Sequence, residues 1–316
     1  MEFANYPSYL PGPTWVVVQL LWSNVAFGGK GGCVGEEVHG YWQVSANGIV
    51  YPFGDAGNYG SVNASLGSPQ FPAEIAGMAS TPDRRGYWLV GWNGSVYSFG
   101  DAHYYGSIPG RHCTIGQTPC PTPIVAMAST PNGGGYWLLG SNGSVYTFGD
   151  AAFYESAVGS IPLGAFAMAI SSIPDGQGYW ITDSLGNTYP FGHAPDLGAV
   201  VASTQPNSII SSRFEADANG FWAADELGAL YTNNAPAYGS LAGQGTLVAS
   251  MASVFEDQGY YLNTYFGYIY PFGPRAAFYG NAGWNCLLAP SITYEQLWSC
   301  ASTPASYPLK TMAVTQ

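Results

Sequence analysis

Five cysteines, four histidines and a recurrent aspartate are the residues of this chain with chemistry to offer, and their spacing argues for structure rather than catalysis. Cys113 and Cys120 flank one Pro-rich loop, and Cys286 and Cys300 flank another, at the same point of an internal repeat. Matching positions point to two loop-stapling disulfides and so to an oxidising compartment. Cys33 is left over, to be buried, free or paired between subunits. No spacing fits a zinc site. His39, His103, His112 and His193 fall at four different points of the repeat, which suits surface or turn residues better than a metal set or a general base. Asp55, Asp101 and Asp150 each follow Phe-Gly, where a carboxylate commonly bonds the backbone just after it as an Asx turn. With Asp83 and Asp175 they would make one end of the molecule acidic, so the expectation is no metal and no cofactor beyond weak Ca2+ binding. The Gly-x-Ser-x-Gly, His-Glu-x-x-His and phosphate-loop signatures are absent from the sequence, and no catalytic set emerges.

The elements that must position these residues follow from the repeat itself. An aromatic pair opens six copies: Tyr41-Trp42, Tyr87-Trp88, Tyr136-Trp137, Tyr179-Trp180, Phe221-Trp222 and Tyr260-Tyr261. The pairs start 46, 49, 43, 42 and 39 residues apart. That is the period of a propeller blade. Six positions after each first aromatic, a residue precedes glycine (Asn47-Gly48, Asn93-Gly94, Asn142-Gly143, Leu185-Gly186, Leu227-Gly228, Phe266-Gly267), and ten positions after it stands a tyrosine. The fold class expected is all-β, a six-bladed β-propeller of four-stranded antiparallel blades over residues 39–316.

In each blade the apolar stretch before the aromatic pair reads as the innermost strand, as at 75–80, 124–129, 165–171, 208–214 and 247–253. The pair sits on the second strand, the fixed tyrosine on the third, and a short fourth strand ends in Tyr-Gly. Asn-Gly suits a type I′ hairpin, whereas Leu-Gly and Phe-Gly call for a bulged turn with only glycine at positive φ. The tail 309–315 matches 124–130 in pattern and is expected to supply the inner strand of the first blade. Residues 1–38 are then an extension carrying the apolar run Trp15, Val16, Val17, Val18, Gln19, Leu20, Leu21, Trp22. It is too short to span a bilayer and lacks the basic flank of a signal peptide. Edge packing on its own chain and strand addition to a neighbouring subunit both remain open for it.

The unit Gly86-Tyr87-Trp88-Leu89-Val90, Asn93-Gly94-Ser95-Val96-Tyr97-Ser98-Phe99-Gly100-Asp101-Ala102 and Tyr105-Gly106-Ser107 resembles a repeat of secreted and surface proteins of actinobacteria, of the form GYWLVASDGGVFAFGDA. The resemblance spans residues 39–316 and is strongest in the first three copies; His193 and Pro274 replace the Asp of Phe-Gly-Asp, and Asn233-Asn234 replace Phe-Gly. It implies a propeller-like fold outside the cytoplasm, and no catalytic residues. Thr81-x-Asp83 and Thr130-x-Asn132 also partly resemble the Asp-box turn of six-bladed sialidases, without the arginine cluster that such a site needs.

Charged residues make up 8% of the 316, and the net charge is -12. A basic stripe for nucleic acid is therefore missing, and anionic lipid is disfavoured. The expected partners are other copies of the chain or other surface or virion proteins, with glycans as the alternative and no membrane span. Trp284, Tyr294 and Trp298 on the 281–308 loop, and Trp92 beside a hairpin turn, are the candidate ligand-stacking residues. The functional expectation is a non-enzymatic extracytoplasmic structural or interaction protein, a subunit of a surface layer, filament or virion. A lectin-like or protein-binding module is the alternative, and a glycoside hydrolase or lyase the remote one.

Overall fold

A computed structural model of the chain describes residues 15–20, 40–62, 75–108, 122–200, 208–215, 218–254 and 258–282. These form six three-stranded antiparallel sheets, and no helix is among the described elements. In chain order the sheets are β1 (Trp15–Leu20), β2 (Gly40–Ser45) and β3 (Val50–Gly54); β4 (Ile75–Ser80), β5 (Gly86–Gly91) and β6 (Val96–Gly100); and β7 (Ile124–Ser129), β8 (Gly135–Gly140) and β9 (Val145–Gly149). Then follow β10 (Ala167–Ser172), β11 (Gly178–Asp183) and β12 (Thr188–Gly192); β13 (Ile209–Phe214), β14 (Phe221–Asp225) and β15 (Leu230–Asn233); and β16 (Val248–Ser253), β17 (Tyr260–Thr264) and β18 (Ile269–Phe272).

The first strand of each sheet lies beside the first strand of the next, from β4 through β7, β10 and β13 to β16, and β1 lies against both β4 and β16. β1 pairs with β2 through Val18↔Gln43, Gln19↔Trp42 and Leu20↔Tyr41, after a bulge that every other inner strand also carries near its start. The place beside β2 that the sequence reading gave to the tail 309–315 is thus taken by β1, while the tail lies outside the described residues. Val16, Val17 and Val18 supply the β-branched residues that favour a strand there. The sixth sheet also reaches the first through Gln43, whose Nε2 donates to Asn263 Oδ1 at 2.8 Å and whose Oε1 accepts from Ala282 N at 2.8 Å.

The aromatic pairs explain why sheets rather than single strands are the packing unit. Successive strand residues point to opposite faces, so the two rings of a pair enter the cores on either side of their sheet. All six first rings and the five tryptophans are essentially fully buried. Each indole N–H donates to a backbone carbonyl of its own sheet's outer segment: Trp42 to Gly57 O and Trp88 to His103 O at 2.7 Å, and Trp137 to Ala152 O at 2.8 Å. The hydroxyl of each tyrosine at the first position of a pair donates backwards, to the outer segment of the preceding sheet: Tyr87 to Gly60 O and Tyr136 to Gly106 O at 2.5 Å, Tyr260 to Gly239 O at 2.6 Å, and Tyr41 to Gly280 O, while Tyr261 takes the tryptophan's role and donates to Ala277 O of its own sheet at 2.7 Å. These outer segments, expected as fourth strands, are coil.

At Gly60, Gly106, Gly239 and Gly280 the accepting residue has φ between 121° and 137°, and a phenylalanine ring of the next sheet packs against it. The third sheet places Glu155 there at φ 119°, still accepting from Tyr179 at 2.5 Å. A non-glycine residue in that region is strained by about 1–3 kcal/mol, partly offset by the greater unfolded-state entropy of glycine. Glu155→Gly is therefore expected to stabilise the protein by about 1 kcal/mol, which thermal melting followed by circular dichroism would register as a rise of about 1–3 °C.

The hairpins differ from expectation in one respect. In all six only the glycine has positive φ, between 78° and 87°, so Asn47, Asn93 and Asn142 are not in type I′ turns. Gly48 N donates to Ser45 O at 2.8 Å and Ser45 N to Ile49 O at 2.9 Å, the three-residue loop with a glycine bulge. The asparagine side chain braces it instead, Asn93 Oδ1 accepting from Ser95 N at 3.0 Å. In the fourth and fifth sheets buried Asp183 and Asp225 do the same work from two residues earlier. Asp183 Oδ1 accepts from Leu185 N and Asn187 N at 2.9 Å, and Asp225 Oδ1 from Leu227 N at 3.0 Å and Ala229 N at 2.8 Å.

Candidate functional site

The sheets present two ends. At the hairpin end, the glycine turns meet the starts of the inner strands, as where Ile124 N donates to Trp92 O at 2.8 Å. Trp92 is half-buried there. Trp284, Tyr294 and Trp298 lie outside the described residues, as do Cys33, Cys113, Cys120, Cys286 and Cys300. Of the apolar run at the N-terminus, Trp15 to Leu20 form β1, and Leu21 and Trp22 lie outside the described residues.

The opposite end carries the repeated carboxylates, and they tie turns together. The Thr81 hydroxyl lies 2.8 Å from Asp83 Oδ1 and 3.2 Å from Asp101 Oδ1, while Asp83 Oδ1 also accepts from Arg85 N at 3.2 Å. In the third sheet Thr130 spans Asn132 and Asp150 at 2.7 and 3.1 Å, and Asn132 Nδ2 donates to Asp150 Oδ2 at 2.6 Å. The Asx turns are made by Asp83, Asn132 and Asp175; Asp101 and Asp150 instead reach across to the neighbouring turn. Desolvation and the adjacent Asp83 push the Asp101 carboxyl up, whereas Asp83, despite its own desolvation, is held down by its bonds from Thr81 and Arg85. His193 Nδ1 is 3.6 Å from Asp175 Oδ2 at the surface. Among the described residues no group of three or more His, Cys, Asp or Glu side chains is placed to hold a metal.

Also at this end, the last residues of β4, β7, β10, β13 and β16 converge around a cavity of about 290 Å3. Seven of its eighteen described lining residues bear hydroxyls, Ser80, Ser129, Ser171, Ser172 and Ser253 among them, nine are apolar, and the one cation among the described lining residues is Arg213. Strand register shows how unusual that is. Arg213 faces Trp222, and at the matching position Ala79 faces Trp88, Ala128 faces Trp137, Ser171 faces Trp180 and Ala252 faces Tyr261. Its neighbours hold the strand still: Ser212 Oγ donates to Thr182 Oγ1 at 2.8 Å, and Phe214 stacks on Trp180 at 4.2 Å and 3°. The guanidinium donates to the Ser212 carbonyl at 3.2 Å, and among the described residues no carboxylate pairs with it. Glu215 also lines the cavity, but its carboxylate lies over Gly220 in its own turn. Sequence reading counted the arginines and missed this one. The signal was its place in the repeat, where four other copies have Ala or Ser, the first has Gln19, and none has a charge.

The chain is similar to the β-propeller domain of Cps50 (Swd1) from Myceliophteria thermophila, at 10% identity over 85% of each chain and a TM-score of 0.51. The fold is a β-propeller. A second solved structure, the extracellular domain of the hybrid two-component system BT4673 from B. thetaiotaomicron, aligns with 75% of this propeller and 31% of its own chain, at 15% identity and a TM-score of 0.44. No protein-family model and no curated protein matches the propeller. Among the described residues no helix is long and apolar enough to cross a membrane.

Burial pushes the Arg213 guanidinium down from the ordinary 12.5 to about 10. It is still charged at neutral pH, so the propeller carries a half-buried, partly desolvated cation at a position where four other sheets have Ala or Ser and the first has Gln19. Removing a charge that burial penalises returns its desolvation cost. Arg213→Ala is expected to raise unfolding free energy by about 1–2 kcal/mol at pH 7, the lost packing of the aliphatic stem being included. The folded-state pKa lies below the unfolded one, so the cost of the charge is full at neutral pH. It shrinks as pH rises through 10 towards 12.5, and the advantage of the variant should narrow there. Urea unfolding of both proteins at pH 7 and near pH 11 measures both effects.

Proposed function

We propose that this propeller is a non-enzymatic, extracytoplasmic interaction protein, a rigid subunit that docks to copies of itself or to other proteins in a surface layer, filament or virion. Six sheets whose inner strands neighbour one another in turn, with β1 touching both β4 and β16, support a six-bladed ring closed through β1. Closure of this kind removes exposed sheet edges and makes a stiff platform. The observation that carries the docking role is at the hairpin end. There Val158, Leu163, Phe166, Leu185 and Leu227 expose 38–106% of their surface, on or beside the turns of the third to fifth sheets. Leu185 and Phe166 are neighbours, since Ser184 N donates to Phe166 O at 2.8 Å. Large apolar side chains presented together on one end mark interaction surfaces. The paired cysteine positions, the two lysines and the resemblance to actinobacterial surface repeats favour a site outside the cytoplasm.

Light scattering and negative-stain microscopy of the purified chain test the reading. Ordered assemblies are expected, and Leu163→Glu with Leu185→Glu should return them to monomers without changing the melting temperature by more than about 2 °C, as for surface substitutions. A wild-type monomer at every concentration tried would overturn the self-assembling form of the proposal.

A further inference from the structure

We propose that the cavity around Arg213 binds a small hydroxylated carboxylate, a molecule of the sugar-acid class. The proposal is independent of the hairpin-end docking surface, because the cavity opens at the other end of the sheets. Three features of the cavity select this class. A guanidinium is a planar fork that matches a carboxylate through two parallel hydrogen bonds. Among the described lining residues Arg213 is the one cation and Glu215, turned over Gly220, the one carboxylate, and with a chain of net charge -12 around them a phosphate dianion would remain unbalanced. The rest of the wall is rich in serine hydroxyls, donors and acceptors alike, which suit the hydroxyl groups of a sugar ring. At about 290 Å3 the space is at the small end of ligand pockets, which are about 300–1,000 Å3, so a single ring is the fitting size.

The placement of Arg213 strengthens the argument. A repeat protein that puts Ala or Ser at this register in four other sheets, the neutral Gln19 in the first and a charged Arg in one has departed from its own pattern at a cost in stability. Such departures concentrate at functional sites. Ser212 and the Phe214–Trp180 stack fix the strand on both sides of the arginine, so the backbone that carries the fork is set before any ligand arrives. Pre-organisation of this sort lowers the cost of binding.

The experiment titrates the full chain with D-glucuronate, D-glucose and inorganic phosphate, reading thermal shift and the arginine Nε–Hε resonances. Only five arginines are present, so their signals can be resolved and assigned by substitution. Glucuronate should raise the melting temperature by several degrees at millimolar concentration and move the Arg213 resonance, with glucose at least tenfold weaker. Arg213→Gln should abolish the response while melting no lower than the wild type, and Arg213→Lys should retain a weakened one. If Arg213→Gln fails to fold, the wild-type resonance titration alone decides. Equal responses to glucose and glucuronate, a stronger response to phosphate, or an Arg213 signal that no anion moves would each overturn the proposal. The last of these is the result for a guanidinium already neutralised within its own chain.

Discussion

A chain that begins at Gly40, lacking β1, is expected to lose most of its stability: the melting temperature should fall by more than about 10 °C and the soluble yield should drop sharply. Without β1, the edge of β2 at Gln43, Trp42 and Tyr41 loses its ladder partners, and β4 and β16 lose the strand between them. Several hydrogen bonds at about 0.5–1.5 kcal/mol each, together with the packing on two flanking sheets, amount to a large part of the 5–15 kcal/mol that holds an ordinary domain together. A long unpaired edge also invites association. Removing residues 309–316 instead is expected to shift the melting temperature little. The pair of truncations separates two readings of ring closure, through the N-terminal strand or through the tail. If the chain without β1 melts like the full chain and the chain without the tail does not, closure through β1 is wrong. A synthetic peptide covering residues 11–24, added to the shortened chain, should restore part of the lost stability by strand addition.

Which features could be read from sequence, and which could not, follows from how many jobs each residue does. The aromatic pairs were legible because one pair serves two cores and two hydrogen bonds, so no copy can drift far. Trp137, for example, packs near Tyr179 at 5.6 Å and bonds Ala152 O, while Tyr136 bonds Gly106 O of the preceding sheet. The same bonds explain the fourth strand that was expected and did not form. Carbonyls of Gly57, His103 and Ala152 are taken by indole N–H groups, and those of Gly60 and Gly106 by tyrosine hydroxyls, so the outer segment meets its hydrogen-bonding needs without a ladder. The hairpins were misjudged because Asn-Gly satisfies two turn geometries, and side-chain bracing from Asn93 or Asp183 favours the bulged one. Two apolar segments, 15–20 and 309–315, fit one vacancy in the pattern, and pattern alone cannot rank them. Arg213 needed a different question, namely which residue breaks the repeat.

Replacing Trp137 by alanine carries the other large expected effect, a loss of about 3–5 kcal/mol in unfolding free energy. The ring is fully buried between the third and fourth sheets with Leu139, Ile170 and Tyr179 around it, and Leu139 and Tyr179 belong to the central strands β8 and β11, held by ladders on both sides, so the cavity cannot collapse. Truncation also leaves Ala152 O without the indole donor. Trp137→Phe keeps most of the apolar volume and should lose about 1–2 kcal/mol, and Tyr136→Phe about 1 kcal/mol, for the hydroxyl bond alone. Phe221 already occupies the tyrosine position of the fifth sheet, so the fold tolerates the second change. The form of the transition matters as much as its midpoint. In the ring inferred above, each sheet is wedged between two others, so a local defect at Trp137 must weaken the whole molecule and leave one transition at lower denaturant. An open array of independently stable sheets would behave otherwise, with the third and fourth sheets melting early and the rest at the wild-type midpoint. Urea unfolding of Trp137→Ala followed by near-ultraviolet circular dichroism and amide hydrogen exchange tells these apart, and a split transition would sink the closed ring while leaving the packing argument intact.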